Sequence, residues 1–243
     1  IWDYRHYFFS QSSWLAYAAA APLQLTIVSS REAVGIFAGA ERVTRMVMAV
    51  TAPLTTVMYP RINALISSSR SRAAEVAGLF LAMQIFVGVA LGIGLLAFTR
   101  PIVHIVLGDQ FTGSVAVLRW LSLLPVIVAI ASTLAKQYLM PLGWSQATSR
   151  ITIACTGVYL ALLAILGHYL GAEGGAIALI ITEALMSIVI VGVLWAKERD
   201  FLVQSVRAMV GAPERIFRYA ASQRKLLKAQ QPSTPDMIDA DDS

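Results

Sequence analysis

The most regular feature of the chain is a series of long apolar runs separated by short polar connections. Each of six runs reaches the length of about 20 helical residues that a bilayer core requires. They occupy residues 7–28, 34–58, 76–98, 115–135, 151–170 and 174–196. Apolar and polar residues do not alternate, and the runs exceed the roughly ten-residue strands of membrane barrels. The pattern therefore predicts an all-α membrane protein in which residues 1–197 form a bundle of six transmembrane helices.

The composition of the chain agrees with a membrane protein and separates the bundle from the C-terminal residues. Charged residues make up only 14% of the chain, against roughly 25% in soluble domains. The single cysteine, Cys155, lies inside an apolar run and excludes a disulfide framework. Residues 198–229 are basic with scattered apolar positions, which predicts an amphipathic cytoplasmic segment on the anionic inner leaflet. Residues 230–243 are polar and then acidic, which predicts a disordered tail.

The distribution of lysine and arginine predicts the orientation of the bundle. If the first residue is cytoplasmic, eight basic residues fall in inner segments and two fall in outer loops. The inner ones are Arg5, Arg61, Arg70, Arg72, Lys136, Arg150, Lys197 and Arg199, and the outer ones are Arg31 and Arg100. The excess of positive charge on the inner side places both ends of the chain in the cytoplasm. The net charge of +5 is therefore mainly a topology signal, and no nucleic-acid partner is predicted.

Charged side chains inside the second span form the first candidate site. Glu41, Arg42 and Arg45 lie between the outer third and the middle of this span. Hydrocarbon disfavours a charge there unless it faces a cavity or a partner. Arg42 and Arg45 are three residues apart on one helix face, which indicates a cationic, water-accessible lumen. Glu41 and Arg45 also have the i,i+4 spacing of an intrahelical ion pair, so a structural role is the alternative.

A polar stripe on the first span is the second candidate. Five hydroxyl, amide and aromatic side chains fall within an arc of about 100° on a helical wheel. They are Ser10, Ser13, Trp14, Tyr17 and Gln24. Aromatic faces pack against sugar C–H groups, while amides and hydroxyls bond sugar hydroxyls, so the stripe suits a sugar in a lumen. Polar contact between helices is the alternative.

Two further charges lie within the later spans. Arg119 is one turn inside the fourth span, where it either lines the lumen or reaches the lipid headgroups. Glu183 is near the middle of the sixth span and is protonated, paired with a cation, or part of ion coupling. The histidines lack the spacing of metal ligands, and the sequence has no P-loop or nucleophile elbow. Neither an enzyme, a metal site nor a cofactor is predicted.

Several segments resemble a family of membrane transporters. Residues 34–65, VGIFAGAERVTRMVMAVTAPLTTVMYPRINAL, resemble the start of the second bundle of bacterial polysaccharide flippases. These are the Wzx-type members of the multidrug/oligosaccharidyl-lipid/polysaccharide exporter superfamily. The resemblance rests on a Gly-x-aromatic-x-x-Ala-x-Arg opening and a proline at the inner end, matched by Gly35, Phe37, Ala40, Arg42 and Pro60. Further similar segments are LGDQFTGSVAVLRWLSLLP (107–125), QYLMPLGWSQ (137–146) and YLGAEGGAIALIITE (169–183).

The resemblance implies a transporter of two six-helix bundles in the bacterial inner membrane that opens alternately to either face. Its substrate would be a polyprenyl-diphosphate-linked oligosaccharide for surface or exopolysaccharide biosynthesis, with the diphosphate meeting Arg42 and Arg45. Because only six spans are predicted, we expect the chain to be the C-terminal half, with an N-terminal six-helix half as its partner. The alternatives are a multidrug or small-lipid exporter of the same superfamily and a membrane enzyme of polysaccharide assembly, such as a polymerase.

Overall fold

Helices account for nearly all of the described structure. The computed structural model describes residues 26, 27 and 29–211. The predicted first span therefore lies almost entirely outside the described residues. Residues 212–229 of the predicted amphipathic segment and the whole predicted tail (230–243) also lie outside them. The chain divides into two units, Ile1–Met209 and Val210–Ser243, and the described residues belong almost entirely to the first.

The helices follow one another with short connections. In chain order they are α1 (Arg31–Met48), α2 (Ala52–Ser68), α3 (Arg70–Ala97), α4 (Thr99–Ile102), α5 (Ser114–Leu121), α6 (Leu124–Thr133), α7 (Ser145–Lys197) and α8 (Arg199–Val210). Tighter 3₁₀ turns occupy Ala49–Thr51 and Asp109–Phe111, and wider π-helical turns occupy Val103–Leu107 and Leu134–Leu139. By length and composition, three helical stretches of the described part could cross a membrane: α3, Ser114–Leu139 and α7. The protein is thus a helical membrane protein, and its division into six spans stays a prediction.

Two prolines coincide with breaks in the long apolar runs. The predicted span 34–58 is interrupted by the turn at Ala49–Thr51, and Pro53 stands in the first turn of α2. Proline is tolerated there because the first residues of a helix need no N–H for an intrahelical bond. Pro125 occupies the same position at the start of α6. The helix after the first break also continues to Ser68, ten residues beyond the end of the apolar run.

The 53-residue α7 consists of two helical arms joined at a bend. Gly171 lies at the bend with φ of 58° and ψ of −127°, a conformation that glycine adopts without steric cost. The arms are residues 145–170 and 172–197. Close to the bend, a Cβ atom at Gly174 would lie only 2.0 Å from the carbonyl oxygen of Leu166. A side chain at Gly174 would therefore force the two arms apart.

Small residues allow α3 and α6 to approach each other closely. A Cβ atom at Gly88 would lie 2.9 Å from the carbonyl oxygen of Pro125, and one at Gly92 would lie 2.6 Å from that of Ser122. Close contact between helix backbones is the usual way in which membrane helices gain packing energy. Gly94 on the same helix takes no part in this contact, because a Cβ atom there would meet nothing within 4 Å in the described structure.

Two apolar clusters fill the interior, one toward each end of the bundle. The first joins α1, α5 and both arms of α7 around Phe37. The second joins α2, α3, the turn Leu134–Leu139, the second arm of α7 and α8, and Ile62 and Leu194 are among its fully buried residues. At the end nearer the second cluster, the start of α3 meets the junction of α7 and α8 through an ion pair between Arg70 and Glu198. We call this the basic end, and it is the end that the lysine and arginine distribution predicts to be cytoplasmic.

The apolar side of α8 packs against the bundle. Phe201 is 3% exposed, and its ring meets the ring of Tyr138 edge-on with 5.6 Å between centroids. The Ser205 hydroxyl donates to the carbonyl oxygen of Ala74 at 2.9 Å, and a Cβ atom at Gly78 would lie 2.1 Å from the carbonyl oxygen of Ser205. This contact covers part of the apolar side of α8, and the placement of residues 198–229 on the inner leaflet stays a prediction. Gly78 of α3 allows the backbone of α8 to approach closely.

Candidate functional site

The charged residues of α1 are oriented by the way in which this helix starts and packs. Ser30 caps the helix, and its hydroxyl accepts a hydrogen bond of 3.1 Å from the N–H of Ala33. Further along, Phe37 is fully buried and fixes the rotation of the helix about its axis. This rotation turns Glu41 toward the interior and leaves Arg42 exposed.

Glu41 and Arg45 form the ion pair that their spacing indicates. Oε1 of Glu41 accepts hydrogen bonds from Nη2 of Arg45 at 2.5 Å and from Nε of Arg45 at 3.0 Å. The side chain of Glu41 is 10% exposed and that of Arg45 is 31% exposed. Partial burial strengthens the attraction between the charges and makes the loss of either partner costly. The structural alternative for this pair is therefore realised, and a role in a lumen stays a prediction.

Arg42 has different surroundings from Arg45. It is exposed, and it forms no ion pair with any residue that the structure describes. Met46 and Val50 lie four and eight residues further along and are 63% and 66% exposed. This spacing places them on nearly the same side of the chain as Arg42. We call this uncovered surface the Arg42 stripe (Arg42, Met46 and Val50).

The two arms of α7 bring further polar groups to the Glu41–Arg45 pair. Tyr159 on the first arm is fully buried and lies within electrostatic range of both charges. Glu183 on the second arm is half-buried and lies within electrostatic range of Arg45. We call these four residues the polar cluster (Glu41, Arg45, Tyr159 and Glu183). Sequence reasoning missed Tyr159, whose only mark is a hydroxyl group within an apolar run.

The other predicted site residues are not brought to the polar cluster by any contact in the described structure. Arg119 is exposed near the end of α5 and forms no ion pair with another described residue. Its neighbour Trp120 donates from Nε1 to Oε2 of Glu173 at 3.2 Å, which links α5 to the second arm of α7. All five residues of the predicted polar stripe on the first span lie outside the described residues: Ser10, Ser13, Trp14, Tyr17 and Gln24.

Two buried glutamines form a second polar group, and the sequence analysis did not predict that they lie together. Gln84 and Gln137 are 1% and 0% exposed. Nε2 of Gln137 donates to the carbonyl oxygen of Thr55 at 2.9 Å, and Nε2 of Gln84 donates to the Thr55 hydroxyl at 3.4 Å. That hydroxyl in turn donates to the carbonyl oxygen of Thr51 at 3.3 Å.

These hydrogen bonds determine which way each amide faces. A flipped Gln137 would set its side-chain oxygen against a carbonyl oxygen, and a flipped Gln84 would meet a hydroxyl whose proton is already used. The side-chain oxygens of both glutamines therefore point away from Thr55. Neither has a hydrogen-bond partner among the described residues.

The part of the chain that contains the Glu41–Arg45 pair matches a known protein family. The family described as "Polysaccharide biosynthesis protein" matches residues 16–116. Within the described structure this segment runs from the start of α1 to the start of α5. It contains the Arg42 stripe and the α1 half of the polar cluster.

Two curated bacterial proteins are also similar to the chain. A protein named "Putative O-antigen transporter" from Escherichia coli (strain K12) is 26% identical over 182 residues, which cover 75% of this chain and 44% of that protein. A protein of the same name from Shigella dysenteriae is 25% identical over 180 residues, covering 74% of this chain and 45% of that protein. The predicted resemblance to bacterial polysaccharide flippases is confirmed. No solved structure matches the chain.

The aligned part of the chain spans less than half the length of the curated relatives that it matches. Both relatives are named as transporters, and neither name describes an enzyme. The expectation of a partner half stays a prediction.

Proposed function

We propose that the chain is the C-terminal six-helix half of a transporter for lipid-linked oligosaccharide in the bacterial inner membrane. The family match and the two relatives named as O-antigen transporters support this proposal. An N-terminal six-helix bundle would complete the transporter, and the pair would open alternately to either face of the membrane. The exported oligosaccharide would serve surface or exopolysaccharide biosynthesis.

The observation that carries the proposal is the exposed position of Arg42. A polyprenyl diphosphate is an anion, and a guanidinium group binds phosphate oxygens through paired, charge-assisted hydrogen bonds. Arg42 is exposed and without an ion pair in the described part, whereas Arg45 is held by the Glu41 carboxylate. We infer that Arg42 is the first cation to meet the diphosphate and that Arg45 follows it in the lumen.

The remaining predicted residues complete the proposed lumen. Glu183 is the candidate for ion coupling, since it is a half-buried carboxyl group within electrostatic range of Arg45. The oligosaccharide would contact residues of the predicted first span and one further arginine: Trp14, Tyr17, Gln24 and Arg119. Their aromatic faces, amide and guanidinium group are suited to sugar hydroxyls and C–H groups.

Replacement of Arg42 tests the proposal. The assay is restoration of surface polysaccharide in cells that lack the transporter, with export divided by the amount of protein in the membrane. We expect Arg42→Ala to lower export per molecule by about tenfold or more, the loss of one or two charge-assisted hydrogen bonds. Arg42→Lys should recover part of it, because lysine keeps the charge but not the planar fork.

A matched control is available on the same helix. Arg31 is the exposed first residue of α1, and Arg31→Ala should leave export per molecule unchanged. Normal export per molecule in Arg42→Ala would remove the support for a cationic lumen.

The Glu41–Arg45 pair gives the same assay a second readout. Arg45→Ala leaves the Glu41 carboxylate partly buried without its partner, so we expect a loss of stability on the order of 2 kcal/mol and less protein in the membrane. Glu41→Gln should also lower abundance but should keep export per molecule, because both arginines remain. Loss of export per molecule in Glu41→Gln would show that the carboxylate itself takes part in transport.

A further inference from the structure

A cavity of about 370 Å³ opens at the basic end of the bundle and shares no residue with the polar cluster. It lies where the start of α3 meets the junction of α7 and α8. Three cations line it, Arg70, Lys197 and Arg199, together with the acids Glu198 and Asp200. Its volume falls within the range of roughly 300–1,000 Å³ that is typical of small-molecule sites.

Of the two acids that line the cavity, only Glu198 forms an ion pair within the described part of the chain. Glu198 accepts hydrogen bonds from Nε1 of Trp144 at 3.2 Å and from the Arg70 guanidinium. Asp200 lies in the first turn of α8, where the helix dipole favours a negative charge. Lys197 and Arg199 are then the cations of the cavity that have no ion pair within the described part of the chain.

Two tryptophan rings hold these two cations in place. Nζ of Lys197 lies 5.6 Å from the ring centroid of Trp144, and Cζ of Arg199 lies 4.8 Å from that of Trp195. A cation over an aromatic face is attracted to it and loses part of its rotational freedom. The entropic cost of ordering the two side chains is therefore smaller when an anion binds here.

An exposed apolar stripe leads along the second arm of α7 to this cavity. Ile188, Val191 and Trp195 are 68%, 40% and 53% exposed, and their spacing places them on one side of the helix. The Arg199 guanidinium lies over the last of these rings. The order along the stripe is thus aliphatic, aromatic and cationic, which is the order of polarity from the acyl chain of a phospholipid to its phosphate.

We propose that this cavity binds the phosphate of an anionic phospholipid, whose acyl chain lies on Ile188, Val191 and Trp195. Lys197 and Arg199 would donate hydrogen bonds to the phosphate oxygens. Charge complementarity selects an anionic headgroup over a zwitterionic one, because the headgroup of the latter also carries a cation. The site is independent of the proposed transport, since the lipid is a resident of the bilayer and does not enter the polar cluster.

Lipid retention by the purified full chain tests this proposal. The chain is placed in nanodiscs of equal parts phosphatidylglycerol and phosphatidylcholine, released into detergent, and examined by native mass spectrometry. We expect the unsubstituted chain to retain phosphatidylglycerol in preference to phosphatidylcholine. The double variant Lys197→Gln/Arg199→Gln should retain phosphatidylglycerol on the order of tenfold more weakly, as expected for two cations near a membrane surface.

The matched control removes the same charge elsewhere at the predicted cytoplasmic side. Lys136 and Arg150 are exposed and do not line the cavity, so Lys136→Gln/Arg150→Gln should retain phosphatidylglycerol like the unsubstituted chain. Equal losses in the two double variants would overturn the proposal, because they would indicate a general attraction of basic residues. Equal retention of the two lipids by the unsubstituted chain would overturn it even if a variant failed to fold.

A further measurement distinguishes the binding of a lipid from the binding of a free anion. Inorganic phosphate should not raise the unfolding temperature of the detergent-solubilised chain, whereas phosphatidylglycerol should raise it. If inorganic phosphate stabilised the chain as strongly as the lipid, the cavity would be a site for a soluble anion and the proposal would fail.

Discussion

Arg42 and Arg45 lie three residues apart on one helix, yet they differ in exposure and in ion pairing. Arg45 bonds to Glu41 through two nitrogen atoms, and Arg42 is exposed on a side of α1 that no described residue covers. The difference arises from the rotation of α1, which its buried residues determine. The exposed Arg42 guanidinium, which has no ion pair among the described residues, is therefore the candidate within α1 for contact with an anion.

The buried glutamines allow a prediction at the same scale. Gln137→Leu removes one hydrogen bond to Thr55, which is worth about 1 kcal/mol net, but it also removes an unpaired buried oxygen that costs about 1–3 kcal/mol. We expect the free energy of unfolding to stay unchanged or to rise by up to about 2 kcal/mol. The measurement is thermal or denaturant unfolding of the purified chain in detergent.

A surface glutamine provides the control for this substitution. Gln146 is exposed, and Gln146→Leu should change stability by no more than about 0.5 kcal/mol. If Gln137→Leu were instead destabilising by more than about 2 kcal/mol, the amide oxygen must be bonded in the native state, for which an ordered water is the simplest partner.

At the scale of elements, glycine positions decide how closely α3 can be approached. Gly78 faces the backbone of α8, and Gly94 on the same helix faces open space. Both lie in helical backbone, so the preference of alanine for a helix acts equally at the two sites. Comparing substitutions at the two glycines therefore separates the effect of the contact between α3 and α8 from the effect of helix propensity.

Alanine at each of these two positions tests that contact. Gly94→Ala should raise the free energy of unfolding by about 0.5–1 kcal/mol, the helix preference of alanine over glycine. Gly78→Ala should lower it by about 1–3 kcal/mol, because the added Cβ would lie 2.1 Å from the Ser205 carbonyl oxygen and α8 must shift. Equal effects of the two substitutions would mean that α8 does not pack on α3 as described.

At the scale of the whole molecule, the contacts define two ends that the membrane would separate. The ion pair between Arg70 and Glu198 and the Trp144 hydrogen bond bring three connections together at the basic end. At the other end, the segment Val103–Leu107 packs against α1 through Leu107, which faces Gly39. The predicted orientation puts the basic end in the cytoplasm.

Cysteine labelling in intact cells tests this orientation. In a Cys155→Ser background, cysteines that replace Ser69 or Ser145 should be protected from a reagent that cannot cross the membrane. A cysteine that replaces Thr112 should react, because the connection 108–113 is predicted to face outward. Labelling at the first two positions with protection at the third would invert the orientation. Permeabilised cells, in which all three should react, provide the control.

The fold class and the resemblance to a family could be predicted from the sequence because both depend on local information. Apolar runs of more than 20 residues require helices in a bilayer, and short motifs along residues 34–65 resemble those of flippases without any knowledge of contacts. The ends of helices were predicted less well. Hydropathy changes where a helix would leave the membrane, whereas the helical backbone of α2 continues to Ser68.

The tertiary structure alone decided which polar groups meet. The i,i+4 spacing of Glu41 and Arg45 allowed an ion pair, but the rotation of α1 decided that Arg45 is paired and Arg42 exposed. Tyr159 and Glu183, on the two arms of α7, lie within electrostatic range of this pair, and Gln84 and Gln137 meet at Thr55 from different helices. Such meetings depend on how helices rotate and approach each other. The rotation and approach of helices are determined by packing between residues far apart in the chain. No local sequence pattern therefore predicts them.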